Sequence, residues 1–198
     1  MVLRAEDTEH GPAAGAGGGA TPVVVLAGLA LVGAAVSVSL GTYGRTHVPT
    51  GGSITTFGFP SVLAMKAWLT TGAAVLALVQ LASALAMFGR LPGRRGATAA
   101  WVPPAHRWAG VVAFVLTLPV AYHCLWSLGY QTVGTRQAVH SVLGCAFYGA
   151  FTTKLLALRV DGLPRFGLPV LGGLVLSLLV GLWFTSSLWF FDNFGFPY

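Results

Sequence analysis

Apolar positions along this chain run in long blocks rather than in stripes. Five such blocks, near residues 22–41, 60–88, 103–127, 136–158 and 167–190, each reach the ~20 residues that cross a bilayer. A helix that is apolar all round has no polar face to offer water, so these blocks predict lipid-facing helices. Between them fall Gly41, Gly44, Gly51, Gly52, Gly89, Gly93, Gly96, Gly129, Gly134, Gly162 and Pro164, the expected breakers. Pro22, Pro60 and Pro103 stand at or near first turns, where a missing N–H costs little. The pattern predicts an all-α polytopic membrane bundle of five transmembrane helices. About eight residues join the third and fourth, which predicts an antiparallel hairpin.

The ends are different. Residues 1–21 combine Glu6, Asp7 and Glu9 with Gly and Ala, too little apolar surface to order a segment, and are expected to form a disordered cytoplasmic tail. That acidic stretch separates Arg4 from the first apolar block, unlike a cleaved secretory signal, so the block is expected to remain as an anchor. Residues 191–198 are expected as a short outer-side tail.

Composition agrees with lipid as the main solvent and partner. Hydrophobic residues make up 55% of the 198 and charged ones only 8%, against roughly 25% charged in soluble domains. The net charge of +6 does not predict nucleic-acid binding, because the basic residues are spread over short loops instead of one polar face. They read as topology. Arg4, Arg90, Arg94, Arg95, Arg107, Lys154, Arg159 and Arg165 put eight of the eleven basic residues on one side, leaving Arg45, Lys66 and Arg136 on the other. The positive-inside rule then sets the N-terminus in the cytoplasm and the C-terminus outside. Trp68, Trp101, Trp108, Trp126 and Trp189 fall near predicted helix ends, as interfacial aromatics do. Cys124 and Cys145 form no CxxC pattern and read as small packing residues. One short repeat stands out: Phe57-Gly58-Phe59-Pro60 and Phe194-Gly195-Phe196-Pro197, both on the outer side, read as interfacial anchors or as a lid over an outer site.

Ionisable side chains inside a membrane are costly and tend to mark function, which directs attention to the histidines. His10 lies in the tail, His47 in the first outer loop and His106 at the cytoplasmic start of the third helix, beside Arg107 and Trp108. His123 and His140 sit deeper, about 12 and 10 Å outward of their helix midpoints at 1.5 Å per residue. Arg136, His140, Gly144 and Tyr148 recur every four residues and share one helix face. Gly144 clears space for a flat macrocycle, Arg136 offers a cation to a carboxylate, and His123 and His140 offer imidazoles. Those are the needs of one haem b, with His123 and His140 as iron axial ligands. Pro119, one turn before His123, is placed to re-aim that face. A histidine pair that only ties two helices together, a metal site and a proton relay are the alternatives.

The run His106-Arg107-Trp108-x-Gly110, His123, then Arg136-x3-His140-x3-Gly144-x3-Tyr148 resembles the haem-bearing helices of small bacterial membrane b-type cytochromes, in the broad sense of the cytochrome b561 and ferric-reductase-like transmembrane groups. It is also similar to a family of five-helix actinobacterial membrane proteins. The resemblance implies a multi-pass protein of the bacterial cytoplasmic membrane that exchanges electrons with quinol or an outer-face redox protein. Those groups carry two haems on four histidines, whereas this chain offers one placed pair. With no Gly-rich phosphate loop, activated nucleophile or paired carboxylates, the chain reads as an electron-transfer subunit without a catalytic domain of its own. A non-catalytic subunit of a larger membrane complex is the alternative, as is a small transporter using Thr70, Thr71, Gln80 and Ser83.

Overall fold

The computed structural model describes residues 21–90 and 98–196. Residues 1–20 of the expected tail, with Arg4 and His10, and also Arg94, Arg95 and Pro197, lie outside the described residues.

Among the described residues all regular structure is helical. The order is α1 (Pro22–Thr46), α2 (Val62–Met87), α3 (Val102–Tyr122), α4 (Thr135–Ala157), α5 (Gly167–Trp183) and the short α6 (Trp189–Phe194). A π-helical turn, His123–Leu128, extends α3, and a second, Phe184–Leu188, joins α5 to α6. Pro22 opens α1 in its first turn. Ser61 caps α2, its hydroxyl oxygen accepting from Ala64 N at 3.0 Å.

Four helical stretches, Pro22–Thr46, Val62–Met87, Val102–Leu128 and Gly167–Phe194, are long and apolar enough to cross a membrane, which makes this an α-helical membrane protein. Their outer faces are apolar and unburied: Leu31, Val38, Val75 and Val170 all stand more than half exposed. Such a coat suits lipid and not water. The remaining long helix, α4, is less apolar because it carries Arg136, Gln137, His140, Ser141 and Lys154.

Two boundaries differ from the sequence pattern. Gly41 and Gly44 do not end α1, which runs on to Thr46. Gly44 is buried, its carbonyl accepts from Tyr130 N at 2.7 Å, and the loop at Tyr130 packs on the space a side chain would take. The last apolar block likewise continues as helix to Phe194, so residues 191–194 belong to α6 and not to a tail.

The packing order also corrects the expected hairpin. Helix α1 packs on α4, α4 on α5, α5 on α2 and α2 on α3, and the first π-helical turn closes the ring against α1. Consecutive helices α3 and α4 are therefore not ring neighbours. They meet only across the centre, where Phe114 stacks on Phe151 at 4.1 Å between centroids and Tyr148 reaches Thr117.

Two glycines explain this order. A Cβ on Gly33 would collide with Gly149 O, and a Cβ on Gly149 with Gly33 O, so α1 and α4 touch backbone to backbone at both positions. In lipid, close backbone approach through small residues is a main source of helix association. Thr153 spans the same contact, its hydroxyl lying 3.1 Å from Gly149 O and 3.4 Å from Leu29 O. Gly149→Val is expected to destabilise the fold by at least about 1–3 kcal/mol, the usual cost of overpacking. Gly173→Ala, with open space at its Cβ, is expected to change stability little. Unfolding in detergent, followed by circular dichroism, compares the two.

Candidate functional site

The ring leaves its centre open at the end where α2 and α4 begin and α3 and α5 finish. A cavity of about 230 Å³ lies there, lined by residues from all five long helices. Thr117, Phe147, Tyr148 and Leu179 belong to its wall toward the middle of the bundle, and Phe147 and Leu179 are core residues. Gln131, Arg136, Thr185 and Trp189 line it toward the helix ends.

Four residues of the sequence-derived site, Arg136, His140, Gly144 and Tyr148, all line this cavity. His140 is held by Thr185, whose Oγ1 is 2.9 Å from the ring Nδ1. The Thr185 hydroxyl also lies 2.8 Å from Gly181 O, and when it donates there its Oγ1 accepts from His140 Nδ1–H. This assignment leaves His140 Nε2 with a bare lone pair. Gly144, one turn further in, would place a Cβ no closer than 3.9 Å to its nearest neighbour, Leu182, so the wall has room beside the imidazole. Tyr148 Oη lies 3.0 Å from both O and Oγ1 of Thr117, fixing α4 to α3 across the centre.

Arg136 is tied to the second π-helical turn. Its Nη1 donates to Thr185 O at 2.6 Å and its guanidinium lies over the Trp189 ring at 3.9 Å. Widened π-helical turns expose carbonyls that an α-helix would consume, and they recur at functional sites. The first π-helical turn behaves alike: Thr50 N and Gly51 N donate to Trp126 O and Ser127 O, and Ser127 donates to Gly52 O, strapping the α1–α2 loop onto it. This turn begins four residues after Pro119, which has no N–H to offer Val115 O.

His123 is not part of the cavity wall, although its neighbours Val120 and Cys124 are. It is 2% exposed and its Nδ1 lies 2.8 Å from Pro119 O. A carbonyl only accepts, so Nδ1 carries the proton and Nε2 is a sealed lone pair, with no hydrogen-bond partner among the described residues. The structure thus places His123 and His140 at the same end of the bundle, each with Nδ1 in a hydrogen bond, without bringing both rings to one cavity.

Two residues escaped the sequence reading. Lys66, counted only as a topology marker, is 8% exposed, lines the cavity and has no hydrogen-bond or ion-pair partner among the described residues. Its position inside an apolar block was the available signal. His47, read as a loop residue, caps α1, stacks on Tyr43 and packs on Trp126 at 4.6 Å, and its Nε2 is also buried without a partner among the described residues.

Other candidates fall elsewhere. His106 Nδ1 lies 2.8 Å from Ser83 Oγ and its carbonyl accepts from Gln80, so the α2 polar residues proposed for a transport path are occupied in helix contacts. Thr71 accepts from Trp183 Nε1, whereas Thr70 does line the cavity. Cys124 and Cys145 are unpaired and both line it. Both copies of the Phe-Gly-Phe-Pro repeat place their glycine at positive φ, +85° for Gly58 and +71° for Gly195. Phe59 packs against the Ala64, Ala67 and Phe190 cluster. No three His, Cys, Asp or Glu side chains group at metal-holding range among the described residues.

The chain matches the family described as a family of unknown function, DUF6529, over residues 24–198, and it belongs to that family. No curated protein and no solved structure matches it.

The Tyr148–Thr117 contact makes the placement of α3 testable. In a double-mutant cycle of Tyr148→Phe and Thr117→Val, a coupling of about 0.6 kcal/mol is expected, near the mean for hydrogen bonds between membrane helices. Additive single effects would assign the Tyr148 hydrogen bond to the Thr117 carbonyl, which the valine retains.

Proposed function

We propose that this member of the DUF6529 family is a five-span membrane protein that binds one haem b at the His140 end of the bundle and passes electrons to or from quinol or an outer-face redox protein. The observation that carries this reading is the pair of imidazoles at one end of the bundle: His123 and His140 each have Nδ1 in a hydrogen bond, and His123 Nε2 is buried with no partner among the described residues. A pinned second nitrogen is how proteins orient a histidine toward iron, whereas a histidine that merely ties helices together spends both nitrogens on hydrogen bonds.

The donor set suits the group: imidazoles for iron, Arg136 for a carboxylate, and Gly144 for a flat ring beside His140. Bound haem would supply one-electron chemistry. Volume fits less well, since about 230 Å³ lies under the ~300–1,000 Å³ common for drug-sized ligands. A macrocycle held by both imidazoles would therefore require the α3 wall at Val120 and Cys124 to give, since His123 does not line the cavity. With haem bound, Thr185 and Pro119 would hold the His140 and His123 imidazoles, and Phe147, Leu179 and Leu182 would exclude water.

The fifth span in this reading is α4. Arg136, Gln137, His140 and Ser141 lower its hydropathy, but all four face the cavity, so lipid need not meet them. The basic residues at the opposite end, Arg90, Arg107, Lys154, Arg159 and Arg165, support a cytoplasmic N-terminus and an outer C-terminus.

Protein purified after expression with ample haem is expected to give a reduced-minus-oxidised absorbance band, lost in His140→Ala and in His123→Ala. A colourless product would overturn the haem reading. A reporter fused to the C-terminus is expected to be active outside the cytoplasm, and activity inside would remove either the fifth span or the assigned orientation.

A further inference from the structure

Charge in this cavity does not balance. Lys66 and Arg136 both line it, and both lie within Coulombic range of the His140 ring. Among the described residues the cavity wall contains no carboxylate. The chain has five acidic residues in all, Glu6, Asp7, Glu9, Asp161 and Asp192. Of these only Asp161 and Asp192 are among the described residues. Asp192 is exposed on α6 and Asp161 follows α4 at the other end of the bundle. Arg136 spends its charge in part on Thr185 O and the Trp189 ring. Lys66 spends none of its own: it is more than nine-tenths buried and unpartnered among the described residues. A lone ammonium in an apolar setting costs several kcal/mol unless something pairs with it.

The rest of the wall indicates what that something is attached to. Ala67, Val120, Leu125, Phe147, Leu179 and Leu182 give the cavity an apolar body, which would repel a small hydrated ion. From this combination we infer that Lys66 and Arg136 form an oxyanion subsite for the carboxylate of an amphipathic ligand whose apolar part fills the cavity. A haem propionate and a fatty-acid head share this chemistry. The inference deepens the function proposed above and rests on the same cavity, but it does not require iron. His140 Nε2, a bare acceptor, takes no part in holding the anion and stays available to the ligand's apolar or metal-bearing body.

Lys66 is the discriminating residue, because Arg136 has structural partners of its own. Full-length protein in nanodiscs of neutral phosphatidylcholine is titrated with metal-free protoporphyrin IX and with its dimethyl ester. A second pair of probes is cis-parinaric acid and its methyl ester. All four are fluorescent, and none offers iron to an imidazole. On the wild type at least one acid is expected to bind tighter than its ester by about ten-fold or more, the range of a charge-assisted hydrogen bond. Preference for the porphyrin acid alone identifies a tetrapyrrole as the source of the carboxylate. Preference for the parinaric acid identifies a lipid.

Lys66→Gln is expected to bring the acid-to-ester ratio close to one, and Lys66→Arg to restore it, which separates charge from folding. Equal binding of acids and esters by the wild type overturns the subsite, as does a preference that survives in Lys66→Gln. Full competition by millimolar inorganic phosphate also overturns it, by showing a free-anion site. The two proposals fail separately. An acid preference in a protein that never shows a haem band leaves the subsite standing and removes the haem. A His140-dependent haem band with no acid preference does the reverse.

Discussion

The arrangement depends on one contact, the backbone-to-backbone meeting of α1 and α4 at Gly33 and Gly149. Lipid offers no hydrophobic force to drive helices together, so the pairs that approach closest set the order of the rest. Once α4 is fixed against α1, it cannot also pack along α3, its neighbour in sequence. Helix α3 goes to α2, and α5 bridges α2 and α4. A five-membered ring with α3 and α4 on opposing sides leaves a centre that side chains have to fill. Phe114, Phe151, Tyr148 and Thr117 close the middle, and the end beyond them stays open as the cavity.

Backbone satisfaction governs what surrounds that cavity. In lipid each unpaired N–H or C=O costs several kcal/mol, so a departure from α-helix is tolerated only where another group answers it. Both π-helical turns occur at the cavity end, and both have answers. Thr50 and Gly51 amides serve the first, and the Arg136 guanidinium serves the second. The departures thereby bring a loop over the bundle end and a guanidinium to the cavity wall. His140 and Arg136 converge on one residue, Thr185, through its hydroxyl and its carbonyl. A side-chain constellation and a backbone irregularity are here a single feature.

Much of this was legible along the chain. The apolar blocks located five helices, because lipid demands length and apolarity from each helix separately. The four-residue recurrence of Arg136, His140, Gly144 and Tyr148 identified the face of α4 that lines the cavity, because residues so spaced share a helix side wherever that helix packs. Helix ends were read less well. Gly44 looks like a breaker in sequence, but its missing side chain serves the approach of Tyr130 and the helix continues.

The sequence by itself determined which segments are long, apolar helices and which face of α4 lines the cavity, since both follow from local spacing. Only the tertiary structure decided which helices touch, that His123 stays out of the wall its neighbours form, and that Lys66 lines the cavity with no partner among the described residues. Those outcomes depend on how close two backbones come and on the rotation of one helix against another. Both are set by contacts between residues such as Gly33 and Gly149, more than a hundred positions apart, which no window along the chain contains.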